Sequence, residues 1–246
     1  MLQWVPSDQG NPAGAGSAAD FNIPANQGIA AFLFCPTARQ IDADGTAKDE
    51  PQARTKQTIF ARGYKEVTTL RIAGGVPYRW RRICFRCKGG PELWIANSAS
   101  GTFSQPFYRM YTSFGYVRIA VSLPVAFQTI IEADLFRGVQ NQDWSSPFNA
   151  KVDTSTFDVV SDRTITLNPG NSVGHTRTVK QWYPMNKNLT YTDDEAGVTV
   201  DTNEFSVPGK QGMGDFFIFD IMQSTTSAQE AGLLFNHEGT FYWHER

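Results

Sequence analysis

Tyr78 to Gly89 reads YRWRRICFRCKG. Arg79, Arg81, Arg82, Arg86 and Lys88 stand there among aromatic and β-branched residues, with no acid between them. Guanidinium groups pair with phosphate, and aromatic rings offer a face on which any base can stack. On a strand, such a run predicts a nucleic-acid surface rather than a catalytic pocket. Arg62 and Lys65 lie on the strand-like stretch before it. The candidate nucleic-acid-binding residues are therefore Arg62, Lys65, Arg79, Trp80, Arg81, Arg82, Arg86 and Lys88. Side chains alternate along a strand, which puts Trp80, Arg82, Arg86 and Lys88 on one face and Arg79 and Arg81 on the other. The Trp80 face joins a stacking ring to cations and is the one expected against DNA. The remaining cations are expected to pair with acids of a neighbouring subunit. A row of solvated basic strand faces, or an arginine-rich protein interface, is the plainer alternative.

The charge pattern points the same way. The whole chain carries a formal net charge of −2, yet Arg54 to Lys88 holds ten Lys and Arg against one acid, Glu66. The rest of the chain holds 12 basic and 23 acidic residues, a balance of −11 against +9 in the window. Charges segregated in this way along a sequence predict opposite fields on two surfaces.

Catalytic constellations are weak. Gly170-Asn171-Ser172-Val173-Gly174 fits G-x-S-x-G, and Asp215 or Asp220 followed by His237 or His244 has the chain order of a hydrolase triad. That motif needs a helix after the serine, whereas Thr176-Arg177-Thr178-Val179 is strand-like. No catalytic residue is assigned, and the chain is not expected to be an enzyme. Cys84 and Cys87 form a C-x-x-C pair, but residues three apart on a strand point to opposite faces and cannot chelate one ion together. With Cys35 they read as buried free thiols in a reducing, intracellular setting. Asp42 with Asp44, and Asp193-Asp194-Glu195, read as solvated acidic turns, because neither has the spacing of a calcium loop. His175, His237 and His244 share no ligand spacing. No Walker loop or complete dinucleotide fingerprint is present, so no metal and no cofactor are expected.

The 246 residues, with 41% hydrophobic and 13% aromatic content, can build a sizeable core. Abundant Gly, Pro, Asn, Ser and Thr suit β-structure with many turns. No apolar run approaches membrane-spanning length, and the N-terminus shows no basic stretch followed by an apolar one, so neither a membrane span nor a secretory signal is expected. Residues 1–28 read as an extended N-terminal arm, and residues 29–246 as one domain. Strands are expected at Ile29–Pro36, Thr58–Ile72, Tyr78–Lys88 as the hairpin partner or near neighbour of Thr58–Ile72, and Tyr108–Val121. Further strands are expected at Ala150–Val160, Arg163–Leu167, Thr176–Trp182, Asn188–Thr192, Val198–Val207, Asp215–Met222 and Gly239–His244. Asp215–Met222 is apolar on both faces, which predicts a central strand covered on both sides. Phe127, Ile130, Ile131 and Leu135 recur at helical spacing between Pro124 and Gly138 and predict one short helix. The fold class is all-β: a two-sheet antiparallel sandwich with long loops and one short helix.

Several stretches resemble the capsid proteins of genomoviruses, small circular single-stranded DNA viruses. They are FARGYKE (Phe60–Glu66), YRWRRICFRCKG (Tyr78–Gly89), LFRGVQNQDWS (Leu135–Ser145), KQWYPMNKNLTYTDDEAG (Lys180–Gly197), GMGDFFIFDI (Gly212–Ile221) and LLFNHEGTFYWHER (Leu233–Arg246). The resemblance spans about residues 58–246 in the same order. It implies a single viral jelly roll related to geminivirus coat proteins, with sixty copies closing a T=1 icosahedral shell around the genome. It further implies sequence-independent binding of single-stranded DNA, assembly in the host nucleus and residence in the virion. Capsid proteins of that family usually begin with an arginine-rich arm that packages DNA and carries a nuclear import signal. Met1–Phe21 contains no Lys or Arg, so contact with the nuclear import machinery is expected only through an arm outside this sequence.

A shell also gives surplus aromatics a place to go. Trp4, Trp94, Phe103, Phe107, Tyr108, Trp144 and Phe148 fall in expected loops or connectors and are the candidate subunit-interface residues, about half of them expected to fold back on the core. Two other classes compete with a self-assembling capsid protein. A host single-stranded nucleic-acid-binding β-protein would explain Tyr78–Lys88 but not the aromatic loops, and a serine hydrolase would rest on Ser172 alone.

Overall fold

The structure, a computed structural model, describes residues 3–6, 16–18, 20–26, 28–39, 41, 53–88, 109–112, 115–197, 199–226 and 232–245. In chain order these form β1 (Gln3–Pro6), β2 (Gly16–Ala18), β3 (Phe21–Pro24), β4 (Ile29–Phe34), β5 (Thr58–Ala73), β6 (Tyr78–Cys87), β7 (Arg109–Thr112) and β8 (Gly115–Ile119). The helix α1 (Val125–Leu135) follows, then β9 (Asp158–Leu167), β10 (His175–Ala196), β11 (Thr199–Ser206), β12 (Asp215–Ser224) and β13 (Gly232–His244).

Two antiparallel sheets face each other. One has the strand order β11-β10-β5-β13-β3 and the other β4-β12-β6-β9. A smaller sheet, β2-β1-β8-β7, contains one parallel pair, β1 with β8. β5 and β6 are consecutive but belong to different sheets, so they are not the expected hairpin. β5 instead pairs with β10 and β13, and β6 with β12 and β9. The expected strands Thr176–Trp182 and Asn188–Thr192 are one strand, β10, carried past Pro184 by a bulge between Pro184 and Lys187. Proline is tolerated because this part of β10 pairs on one side only, with β5. Within the expected N-terminal arm, Phe21–Pro24 pairs with β13 as the edge of the larger sheet, and Phe21 and Ile23 are buried.

The four-stranded sheet is covered on both faces, which is why its strands read as near-continuous apolar runs. On β12, Phe217, Phe219 and Ile221 pack with Phe127, Ile131 and Leu135 of α1. Phe216, Ile218 and Met222 point the other way, between the sheets. Each fully buried Phe or Ile contributes on the order of 1.5–3 kcal/mol, so this doubly covered strand anchors the fold. The expectation for Asp215–Met222 is met: β12 lies between β4 and β6, and residues 215–222 are all buried. The helix forms where the spacing predicts, from Val125 after Pro124, although it ends at Leu135, with Phe136 already extended.

Between the sheets the apolar packing divides in two. One cluster gathers Phe32, Leu70, Ile72, Tyr78, Trp80, Met222, Leu233 and Phe235, and the other Phe34, Ile59, Tyr64, Cys84, Tyr183, Tyr191, Phe216 and Ile218. The strands that connect the two clusters carry ionisable groups at their middles: Glu66 on β5, Arg82 on β6, Asp220 on β12 and His237 on β13, all buried. Cys35, Cys84 and Cys87 are buried thiols outside any disulfide, with Cys84 packed between the sheets and Cys87 on the α1 side, on the opposite faces expected of them.

Candidate nucleic-acid interface

The β6 cluster is built into the protein's interior. Trp80 is 1% exposed, and its Nε1 donates to Asp220 Oδ1 at 2.8 Å. Arg82 is 3% exposed and grips the same carboxylate with both arms of its fork, Nε to Oδ1 at 2.6 Å and Nη2 to Oδ2 at 2.9 Å. Its third nitrogen pairs with Glu66 and donates to Gln181 Oε1 at 2.9 Å. Arg118 on β8 reaches in from the small sheet and donates Nη2 to Asp220 Oδ2 at 3.2 Å, with its guanidinium against the rings of Phe34 and Phe235. Glu66 accepts from Thr68 Oγ1 at 2.9 Å, and His237 Nε2 lies 3.0 Å from Glu66 Oε2 and 2.7 Å from the Tyr64 hydroxyl.

Two arginines thus meet two carboxylates at the centre of the sandwich, with formal charges that balance. Burial acts to raise the Asp220 carboxyl, but the charge and hydrogen bonds of Arg82, with the charge of Arg118, outweigh it and hold the group below the usual carboxylate range. Burial holds His237 well below its ordinary value, and the charges of Arg118 and Arg82 push the same way, so the imidazole is neutral. A phosphate would have to displace carboxylates already bound in fork geometry inside a closed core. The expectation that the Trp80 face meets DNA is therefore corrected: it faces the other sheet.

The opposite face of β6 is also occupied from within the chain. Arg81 is 4% exposed, makes a bidentate pair with Asp162 at 3.0 and 2.7 Å, and donates to the Pro147 carbonyl. Arg79 lies over the Phe148 ring, 4.5 Å from its centroid. Back on the Trp80 side of the strand, Arg86 pairs with Asp158 at 2.6 Å, and Lys88 donates to the carbonyls of Gly209 and Lys210, each at 2.9 Å. Arg54 and Arg71, outside β6, pair with Asp193 and Asp20. Among the described residues, five of the ten cations between Arg54 and Lys88 pair with acids, all but Glu66 from outside that window. The segregation seen along the sequence is partly cancelled in space, and partners expected from a neighbouring subunit come from the same chain. Asp193, expected in an acidic turn, sits on β10 as the partner of Arg54.

Of the eight candidates, Arg62 and Lys65 on β5 are the exposed ones. A bulge in β5 explains their position: Tyr242 and Trp243 are neighbours on β13, yet they face Gly63 and Ala61. The extra residue is Arg62, and past it the buried positions of β5 change from Ile59 and Ala61 to Tyr64, Glu66, Thr68, Leu70 and Ile72. Lys65 consequently points outward, and Arg62 Nη1 donates to Asn186 Oδ1 at 2.7 Å.

The interface candidates divide similarly. Trp144 and Phe148 are buried in the cluster beneath α1, with Trp144 edge-on to Phe136 at 5.3 Å, so these two belong to the protein's own core. Trp4 is on β1, opposite Ala18 and Ile119. Trp94, Phe103, Phe107 and Tyr108 lie outside the described residues, as do Asp42 and Asp44. Ser172 is exposed in the turn before β10, with a strand and not a helix after it, while Asp220 and His237 are committed to the buried network.

Sequence reasoning missed two aromatic residues on the outward face of the larger sheet, Trp182 on β10 and Tyr242 on β13, 49% and 43% exposed. Their rings meet edge to face with centroids 5.8 Å apart. Alternation along β10 puts Trp182 and Tyr183 on opposite faces, and in the structure it is Tyr183 that is buried between the sheets. No protein-family model matches this sequence, and no curated protein is similar to it in sequence.

Proposed function

We propose that the chain is the coat protein of a small circular single-stranded DNA virus, a viral jelly roll that self-assembles into a T=1 shell around its genome. The observation that carries this reading is the strand order. When β3, β4, β5, β6, β9, β10, β12 and β13 are lettered B to I in chain order, the two large sheets read B-I-D-G, with β11 added beyond G, and C-H-E-F. That order supports a jelly-roll reading of the sandwich, an architecture of viral capsid domains and also of lectins and cupins. Among these, the capsid reading is supported by the genomovirus-like stretches from Phe60 to Arg246, two of which, Tyr78–Gly89 and Gly212–Ile221, supply the buried Trp80–Arg82–Asp220 centre.

In this reading the buried ion network is structural, not DNA-binding. It fixes how the two sheets and the small β1–β8 sheet sit together, and so fixes the shape that neighbouring copies must match. Catalysis has no part in it. DNA is bound without regard to sequence, assembly takes place in the host nucleus, and the mature location is the virion. Negative-stain electron microscopy of the purified full-length chain tests the proposal: uniform small closed spheres are expected. A field of monomers or dimers across salt and pH would leave a host single-stranded nucleic-acid-binding protein as the better account.

A further inference from the structure

We propose that the outward face of the larger sheet is a stacking platform for single-stranded nucleic acid, with Trp182 and Tyr242 as the rings and Arg62, Lys65 and Lys180 as the phosphate contacts. This rests on the single-stranded DNA shell reading and names the surface that would touch the genome.

The platform is shaped by Gly63. It lies on β5 between the two aromatic strands, opposite Pro184 on β10 and Tyr242 on β13. A Cβ at this position would come within 2.6 Å of Trp182 Cζ2 and 2.7 Å of Cη2. The indole is therefore laid down over a bare patch of backbone, braced by the edge-to-face contact with Tyr242, with about half of each residue still in water. Rings held this way have already lost much of the rotamer freedom that binding would otherwise cost. A hollow of 410 Å³ lies at the sheet edge between Trp182 and Lys180 of β10 and Val160, Ser161 and Arg163 of β9, and one of 290 Å³ lies beside Tyr242, Lys65 and Glu238.

Charge selects the occupant. Lys65 stands directly across from Trp182 in the β5–β10 register, Lys180 is two residues before Trp182 on the same face, and Arg62 is turned out by the bulge. All three are exposed, and among the described residues none forms an ion pair. Arg71 on this face is paired with Asp20, and the exposed carboxylate on the same stretch of β13 is Glu238. Half-exposed rings ringed by unpaired cations suit a polyanion that offers flat faces, and stacking is indifferent to base identity. Glu238 lines the hollow beside Lys65 and Tyr242 but pairs with none of the three cations, so a protein partner would have to bring carboxylates of its own to offset the water stripped from them.

The test measures binding of a fluorescein-labelled oligothymidylate to purified full-length protein, over a series of salt concentrations, beside electron microscopy of the same samples. Trp182→Leu/Tyr242→Leu is expected to weaken binding by at least about tenfold while particles form normally. Lys65→Gln/Lys180→Gln keeps both rings and is expected to lower the slope of log affinity against log salt by about 1.4, two phosphate contacts' worth. Circular dichroism verifies that each variant is folded. Unchanged affinity and slope in folded variants would overturn the platform and leave the shell reading intact. Loss of particles with unchanged oligonucleotide affinity would also overturn it, and would make this face a contact between copies. If the unaltered protein never forms particles but both variants lose binding as stated, the platform stands and the shell reading fails.

Discussion

Replacing Asp220 with Asn removes one negative charge from the centre of the sandwich and nearly nothing else. The Asp220 carboxylate accepts from Trp80 Nε1, from Arg82 twice and from Arg118, at 2.6 to 3.2 Å. An amide offers one acceptor oxygen to those donors and turns an NH2 toward a guanidinium. The network is left with two buried arginines facing the single carboxylate of Glu66. Breaking a buried pair by removing one partner costs about 3–5 kcal/mol, because the surviving charge can neither reach water nor find another partner. For a chain of this size that is a fall in Tm of roughly 6–20 °C. Arg118→Met restores the charge balance, so the Asp220→Asn/Arg118→Met double variant should recover part of the loss, with a coupling of about 1–3 kcal/mol. The assay is urea unfolding followed by tryptophan fluorescence, on monomeric chain at one fixed concentration, since any self-association would itself stabilise the folded state. A loss below about 1 kcal/mol for Asp220→Asn, or single-variant effects that simply add in the double, would refute the claim that these four groups act as one unit.

Three further outcomes follow from particular sites. Asp215 accepts from Ser206 N, Ser206 Oγ and Thr37 Oγ1, yet burial outweighs these bonds and raises its carboxyl to about 6. Its contribution is therefore full below the unfolded value of 3.8 and is lost as pH rises through about 6, so the stability of the native chain relative to Asp215→Asn should fall between pH 4 and 7, by up to about 3 kcal/mol in urea titrations. Gly63→Ala would set a Cβ 2.6 Å from both Tyr183 O and the Trp182 ring; about 1–3 kcal/mol of destabilisation and a shifted tryptophan emission are expected, and an unshifted spectrum would mean the indole does not lie over Gly63. Ser172→Ala should leave particle yield unchanged, whereas an esterase activity present in the native protein and lost in that variant would make the chain a hydrolase.

Pattern in the sequence reveals which residues share a face more readily than what that face meets. β12 was legible because apolar residues on both sides of a strand admit few explanations other than cover on both sides. α1 was legible because Phe127, Ile131 and Leu135 recur at the helical period. The alternation on β6 was also legible, and Trp80 and Arg82 do share a face. What alternation lacks is the identity of the neighbour, and both faces of β6 are covered. Two residues held a clue. Glu66 is the lone acid in the basic window, and Asp220 the lone charge inside FFIFDIM; an acid in such a place must be paired to be buried, and the cations that reach them are Arg82 of β6 and Arg118 of β8. The bulge at Arg62 was not legible, because one extra residue leaves no mark in composition and shifts the phase of everything after it. Trp182 was hidden by its neighbours: in KQWYPM an aromatic pair straddles the sheet, and only the pairing of β10 with β5 decides which ring faces water.

The mass of the assembled particle tests the central claim most directly. Mass photometry of the full-length protein, purified without denaturant and kept near neutral pH, should give one narrow peak near 1.6 MDa, about sixty chains of 27.4 kDa, plus the mass of any enclosed nuclease-resistant single-stranded DNA. A single species at one or two chain masses, unchanged from low to high salt and with the buried network intact by unfolding, would contradict it.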